Sequence, residues 1–126
     1  VIVSLGMSVD PPLVWRKYKY LHCVSGYPTP DAEANIARVR ALHGYSDHTT
    51  SLVSGALATA CGAEIIEKHL KLWDTPSTNP DAPHALTPVN LQYYIAQIRE
   101  AETLLGDVRE AIMPCEADNV RYKVVP

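Results

Sequence analysis

Short apolar runs that end in polar residues constrain this chain more than any other feature. Three of them close on or beside a histidine: Leu21-His22-Cys23, residues 45–49 and residues 65–69. Between these runs the hydrophobic spacing becomes helical, which is typical of βα units and not of a β-sandwich. Parallel strands bring their C-terminal residues to one rim, so the sequence predicts an α/β fold with a polar site at that rim.

The same periodicity predicts the order of the elements. Four strands are expected, over residues 1–4, 20–24, 44–47 and 64–68. Three helices are expected: an amphipathic helix over 31–42, a small-residue helix over 51–61 and a long helix over 88–106 that ends in glycine. Residues 10–17 have room for about two helical turns, residues 71–86 are expected to form a loop, and the tail from Asp107 shows no clear period.

The composition is that of one soluble domain, since 126 residues with 47% hydrophobic and 20% charged content can bury a core. A net charge of −3 provides no basic field for a polyanionic backbone, so nucleic acid is not an expected partner. No apolar stretch approaches the roughly 20 residues of a membrane span. The start of the chain lacks the pattern of a signal peptide, and we expect a cytoplasmic location without membrane contact.

The three cysteines predict neither a disulfide framework nor a zinc site. Cys23, Cys61 and Cys115 are far apart and have no Cys-x-x-Cys spacing. The His22-Cys23 pair is a poor candidate for a base and nucleophile because neighbours on a strand point to opposite faces. Reduced, mostly buried thiols are expected.

Two histidines follow successive predicted strands, and their joint position is the main indication of a site. A single histidine after a strand is more often a hydrogen-bonded rim residue than a metal ligand. His48 and His69, however, end neighbouring strands that would lie about 4.8 Å apart, so both imidazoles can reach one divalent cation. We therefore predict a metal site at this rim, with positions left for water or substrate.

Other polar residues at the strand ends are further candidates. Asp47 and Glu67 are expected to orient an imidazole or to act as acid or base, and the alternative is capping or a surface ion pair. The hydroxyls of Ser4, Ser25 and Ser46 are placed to bind a phosphate or carboxylate.

Three more polar residues are assigned away from the site. Lys68 should point opposite to Glu67 and His69, towards the surrounding helices or solvent. His43 and His84 have no strong local partner in the sequence and are interpreted as structural or exposed.

Three ordered motifs resemble the sialic acid synthase family, which includes N-acetylneuraminate synthases. They run from Leu21-His22-Cys23 to Pro28-Thr29-Pro30, from Gly44-Tyr45 to His48-Thr49, and from Gly62-Ala63-Glu64 to Lys68-His69. The resemblance extends over nearly the whole chain, and three long motifs in order are far more specific than one short pattern.

The resemblance implies part of a (β/α)8 TIM barrel, approximately strands five to eight with their helices, over residues 1–126 and without the family's antifreeze-like C-terminal domain. It implies a metal-dependent condensation of phosphoenolpyruvate with an N-acylated aldose such as N-acetylmannosamine, with release of phosphate. His48 and His69 would hold Mn²⁺ or Mg²⁺. Ser4, Ser25, Ser46 and Tyr27 match positions that contact phosphoenolpyruvate, and Tyr27, Glu67 and Asp81 match positions that contact the sugar or the metal-bound water.

Departures from the family pattern leave two interpretations of the chain. The family's Gly-Pro-Asp is Asn79-Pro80-Asp81 here, and the connector over residues 9–19 is shorter than a full helix. A half barrel also exposes two strand edges, which favour pairing with another chain. The chain is then either part of a longer synthase or a small protein that forms a homo-oligomer or pairs with a complementary half-barrel. A non-catalytic half-barrel that binds metal and phosphate is the alternative function.

Overall fold

Four short parallel strands form one sheet in which the strand order follows the chain. The computed structural model describes residues 1–8, 17–108 and 112–122. The strands are β1 (Ile2–Ser4), β2 (Lys19–Cys23), β3 (Gly44–Asp47) and β4 (Ile65–Lys68). All four predicted strands are confirmed to within a residue or so at their ends. Sequential parallel order is the arrangement that consecutive βα units give.

The register of the sheet decides which side chains share a face. Cys23 pairs with Ser46, and Ser46 pairs with Glu67, so these three lie on one face. Asp47 pairs with Lys68 on the opposite face. That opposite face packs on a hydrophobic core around Val39, Tyr45 and Ala58, and we call it the helix-facing side. The face with Cys23, Ser46 and Glu67 is called the inner side.

Two α-helices cover the helix-facing side, α1 (Ser54–Ala60) and α2 (Pro88–Leu105). Both helices were predicted. Helix α2 begins after Thr87, whose side chain accepts a hydrogen bond from the Asn90 backbone N–H, and is followed by Gly106 at a φ of 61°. The helices pack closely because Gly55 has no side chain: a Cβ there would lie 2.6 Å from the Tyr94 ring. No helix within the described residues is long and apolar enough to cross a membrane.

The amphipathic helix predicted over residues 31–42 is wrong as an α-helix. The segment forms two 3₁₀ helices, Asp31–Glu33 and Ile36–Ala41. Asn35 between them adopts a left-handed φ of 46°, which interrupts a helix. In addition, the carbonyl of Ala34 accepts a hydrogen bond from the His22 imidazole at 2.8 Å, a tertiary contact that competes with helical pairing.

The predicted loop over residues 71–86 is confirmed, and it folds back onto the sheet. Leu70 and Leu86 form an isolated parallel bridge. The Leu86 N–H donates to the His69 carbonyl at 2.9 Å, and the Lys71 N–H donates to the Leu86 carbonyl at 2.8 Å. These bonds return the loop to the C-terminal end of β4.

Two further predictions concern the chain near residue 10 and its tail. The helical turns expected over residues 10–17 lie almost entirely outside the described residues. The tail, expected to lack a clear period, contains an exposed 3₁₀ helix at Pro114–Tyr122. Because this helix buries none of its residues, no amphipathic spacing marks it in the sequence.

Candidate functional site at the strand ends

The two predicted rim histidines lie side by side. His48 follows β3, His69 follows β4, and the parallel register aligns the two strand ends. Their ring centroids are 5.3 Å apart. The proximity expected from the sequence is therefore observed.

Hydrogen bonding leaves one ring nitrogen of His48 available. Its Nδ1 lies 3.0 Å from the carbonyl of Val24, which can only accept, so Nδ1 carries the proton. In the neutral ring Nε2 then has the free lone pair, the form that binds metals. The Tyr27 ring lies against the His48 ring with centroids 4.3 Å apart and is itself 54% exposed. Tyr27 thus forms one wall of the site.

Asp81 lies beside His69, as expected if both residues belong to one site. Its Oδ2 is 3.5 Å from His69 Nδ1. A bond from the Asp81 backbone N–H to the Asn79 side chain at 2.9 Å fixes the loop backbone at this residue. Four of the candidates, Tyr27, His48, His69 and Asp81, consequently converge at one rim.

The interpretation of His84 as a structural or exposed residue misses its position at the rim. Its ring centroid is 4.6 Å from that of His69, 5.5 Å from that of His48 and 5.4 Å from that of Tyr27. Its side chain is 0% exposed, and neither ring nitrogen has a hydrogen-bond partner among the described residues. Burial lowers the pKa of His84, and the neighbouring His69 and His48 lower it further, while Asp81 opposes them. The signal in the sequence was the spacing Asp81-x-x-His84.

Ser46 and Glu67 form a pair on the inner side, below the histidines. The Ser46 hydroxyl donates to Glu67 Oε1 at 2.6 Å, and Glu67 is exposed. The Cys23 Sγ lies 3.8 Å from His48 Nδ1, and burial raises the pKa of the Cys23 thiol. A thiol with a raised pKa is a poor nucleophile, in agreement with the sequence argument against a cysteine hydrolase.

Ser4 and Ser25 are exposed at the ends of β1 and β2. The Ser25 hydroxyl lies directly against Gly6, where a side chain on residue 6 would displace it. Glycine at this position lets the Ser25 hydroxyl approach the backbone after β1. No hydrogen bond joins the Ser4 hydroxyl to His48, His69 or His84 among the described residues.

The expectation that Asp47 orients an imidazole is wrong. Its carboxylate is buried on the helix-facing side and accepts bonds from Ser54 Oγ at 2.6 Å and Tyr94 Oη at 2.8 Å. Burial by itself raises the pKa of Asp47, but these hydroxyls and the Lys68 ammonium 3.1 Å away hold it below its ordinary value. The side chain of Lys68 was predicted to face either the helices or solvent. It is only 4% exposed, so it faces the helices. Asp47 therefore stabilises the fold and is not part of the candidate site.

The rim offers a donor set suited to a cation. One ligand atom each from His69, Asp81 and His84 lies within 4.8 Å of the others. Imidazole nitrogens with a carboxylate oxygen are ligands of divalent first-row metals. The orphaned nitrogens of the buried His84 are a second observation in favour of a ligand here.

Comparison with known proteins decides the family. The model of the NeuB family matches residues 14–110. The chain belongs to the NeuB family. An uncharacterised protein of Methanocaldococcus jannaschii is 34% identical over 94% of this chain and 40% of its own length. The N,N'-diacetyllegionaminic acid synthase of Campylobacter jejuni is 35% identical over 79% of this chain and 32% of its own length.

A solved structure supports the fold of this NeuB-family chain. The N-acetylneuraminic acid synthetase of Leptospira borgpetersenii, solved with citrate, matches with a TM-score of 0.73 and 28% identity over 83% of this chain. The match covers 39% of that protein. The chain thus has an α/β fold with a curled parallel half-barrel sheet, and it spans about a third to two fifths of the length of these relatives.

Proposed function

We propose that this NeuB-family chain forms strands five to eight of a (β/α)8 barrel that condenses phosphoenolpyruvate with an N-acylated aldose such as N-acetylmannosamine. The observation that supports this most is the convergence of Tyr27, His48, His69 and Asp81 at one rim in a member of the family. In a (β/α)8 barrel, active sites lie at the C-terminal ends of the strands. Here those ends carry the polar residues.

The proposed reaction forms one carbon–carbon bond and releases phosphate. C3 of the enol attacks the aldehyde carbon, and the aldehyde oxygen takes up a proton to become a hydroxyl. Water adds to the cationic C2 centre and gives up a proton. Phosphate then leaves from the tetrahedral intermediate, and a 2-keto acid remains.

His48 and His69 are the proposed ligands for Mn²⁺ or Mg²⁺. A ligand atom of His69 lies within 4.8 Å of ligand atoms of Asp81 and His84, and the His48 ring stands beside this group, with its centroid 5.3 Å from that of His69. The bound ion would supply Lewis acidity at the aldehyde oxygen. His48 presents Nε2 because Val24 holds Nδ1. The Tyr27 ring shields one side of the His48 imidazole from water and offers its hydroxyl to substrate.

Glu67 is the proposed base for the attacking water, together with Asp81. The Ser46 hydroxyl already donates to Glu67 Oε1, which fixes the carboxylate and leaves Oε2 to receive a proton. Asp81 lies beside His69, where it orients the sugar or the water. Ser4 and Ser25 are the proposed donors to the phosphate and carboxylate of phosphoenolpyruvate. Ser46 would join them only by turning its one O–H from Glu67 to the substrate.

The experiment that tests this function replaces the matching segment of the Campylobacter jejuni synthase with this chain. The assay follows phosphate release and keto-acid formation from phosphoenolpyruvate and a panel of N-acylated aldoses. Turnover that a His69→Ala substitution removes and Arg99→Ala, on exposed α2, preserves is the expected result. A folded chimera that binds metal and phosphoenolpyruvate but never turns over would instead support the non-catalytic binding module.

A further inference from the structure

His84 is a rim residue that neither the sequence motifs nor the proposed reaction uses. Its side chain is fully buried, yet neither ring nitrogen finds a hydrogen-bond partner among the described residues. Buried polar groups are satisfied in the large majority of cases, and the exceptions need an explanation such as an ion. His22, the other buried histidine with an unpartnered nitrogen in the described part of the chain, has its second nitrogen bonded to the Ala34 carbonyl, whereas His84 has neither bonded.

The groups around His84 are side chains that can ligate a metal. Its ring faces His69 at 4.6 Å and His48 at 5.5 Å between centroids, and its Nε2 lies 3.8 Å from Asp81 Oδ1. At 3.8 Å the carboxylate is too distant to satisfy the ring by a hydrogen bond. The His84 imidazole therefore faces the same space as the imidazoles of His48 and His69.

The spacing of the donors is close to that of a loaded site. Ligand atoms of His69, Asp81 and His84 lie within 4.8 Å of one another. Two ligands at about 2.1 Å from one cation are at most roughly 4.2 Å apart. Side-chain movements of a few tenths of an ångström would close the difference, and His69 and Asp81 have the freedom for them, since their side chains are 33% and 49% exposed.

The geometry points to His84 as a third imidazole ligand, so that the cation is bound by three histidines and Asp81 and not by His48 and His69 alone. This inference rests on the proposed function only in placing a divalent cation at the rim. It changes the expected metal. Imidazole favours zinc, cobalt, nickel and iron, whereas magnesium prefers oxygen and water. The chain should therefore prefer Co²⁺ and Zn²⁺ to Mg²⁺.

The backbone explains why His84 occupies this position. The Leu86 N–H bonds the His69 carbonyl, and the His84 and Ala85 N–H groups bond the Asp81 carbonyl at 3.2 and 3.0 Å. One turn of the loop therefore carries both Asp81 and His84. The hydrogen bond of Leu86 anchors that turn to His69, which is itself a proposed ligand. A loop fixed at both ends presents its ligands with little loss of conformational entropy.

The test measures Co²⁺ binding to the purified chain by calorimetry and by the visible spectrum of the bound ion, with no substrate present. Wild type is compared with His84→Ala, His69→Ala and the matched control His43→Gln, a histidine outside the rim that accepts a bond from the Tyr20 N–H. We expect His84→Ala to weaken Co²⁺ binding at least ~10-fold and to reduce the preference for Co²⁺ over Mg²⁺. His43→Gln should bind as wild type.

The outcomes separate this inference from the proposed function. Loss of binding in His69→Ala with unchanged affinity and metal preference in His84→Ala would overturn the third ligand and leave the pair His48 and His69 standing. No binding to folded wild type would overturn both metal assignments. If His84→Ala does not fold, the histidine ring N–H signals shifted by Co²⁺ in wild type decide the matter: three ligating histidines are expected, and two contradict the inference.

Discussion

The two sides of the sheet differ sharply at the ends of the same strands. Asp47 and Lys68 point to the helix-facing side, where hydrogen bonds and an ion pair satisfy them. Their next neighbours, His48 and His69, lie at the rim, where His84 has no hydrogen-bond partner among the described residues. A shift of one residue along the strand thus separates a buried polar network that stabilises the fold from a polar cluster that is open to a ligand. Buried charge alone does not mark a site. The rim differs because, within the described ranges, neither ring nitrogen of the buried His84 is bonded, whereas His22 on the helix-facing side lacks a partner only at Nδ1.

Removal of Asp47 should have the largest effect on stability. Asp47→Ala leaves the Lys68 ammonium buried without its counter-charge, which costs about 3–5 kcal/mol in the free energy of unfolding. Urea denaturation followed by circular dichroism measures the loss. The double variant Asp47→Ala/Lys68→Met should lose less than Asp47→Ala alone. Equal losses in the two variants would show that the pair is not coupled.

Loss of one hydroxyl on the helix-facing side should have the next largest effect. Tyr94→Phe keeps the ring against Gly55 but removes the bond to the Asp47 carboxylate, a loss of about 1.5–3 kcal/mol for a bond to a charged group. The neighbouring Tyr93 is 61% exposed, and Tyr93→Phe is the matched control, with an expected change below ~0.5 kcal/mol. If both variants lost a similar free energy of unfolding, the bond from Tyr94 to Asp47 would stabilise the fold no more than an exposed hydroxyl does.

A rim substitution should change stability little while it changes binding strongly. His69→Ala removes a partly exposed side chain whose Nδ1 lies 3.5 Å from the Asp81 carboxylate, so the free energy of unfolding should change by about 0.5 kcal/mol or less. Binding of Co²⁺ should be lost in the same sample. A large loss of stability without added metal would show that the rim also supports the fold.

Acid should weaken the fold through His22, an exception on the helix-facing side. Burial is the largest cause that lowers the pKa of His22, and Arg38 adds to it, while the bond to the Ala34 carbonyl opposes it. The unfolded chain therefore binds more protons than the folded chain below about pH 6.5, and stability falls as pH falls through that value. His22→Gln should flatten this slope in urea titrations between about pH 7 and 5, and Tyr93→Phe should keep it. An unchanged slope in His22→Gln would assign the acid sensitivity to another group.

The elements that were predicted correctly are those whose signals are local. The strands show apolar runs with polar ends, and α2 shows a cap at Thr87, proline at Pro88 and glycine at Gly106. Parallel strands in sequential order then place His48 beside His69 without further information. The predicted helix over residues 31–42 failed because its signal was periodicity alone, and the hydrogen bond of His22 to Ala34 overrides periodicity.

The sequence by itself determined the alternating α/β order, the family, and the placement of two histidines at one rim, because each depends on residues close together in the chain or on motifs in order. Only the tertiary structure decided that Asp47 belongs to the core and that His84 belongs to the rim. The first depends on Tyr94, 47 residues away, and the second on the bridge between Leu70 and Leu86. Such long-range contacts leave no periodic trace in a sequence, since the partners are joined by folding and not by spacing.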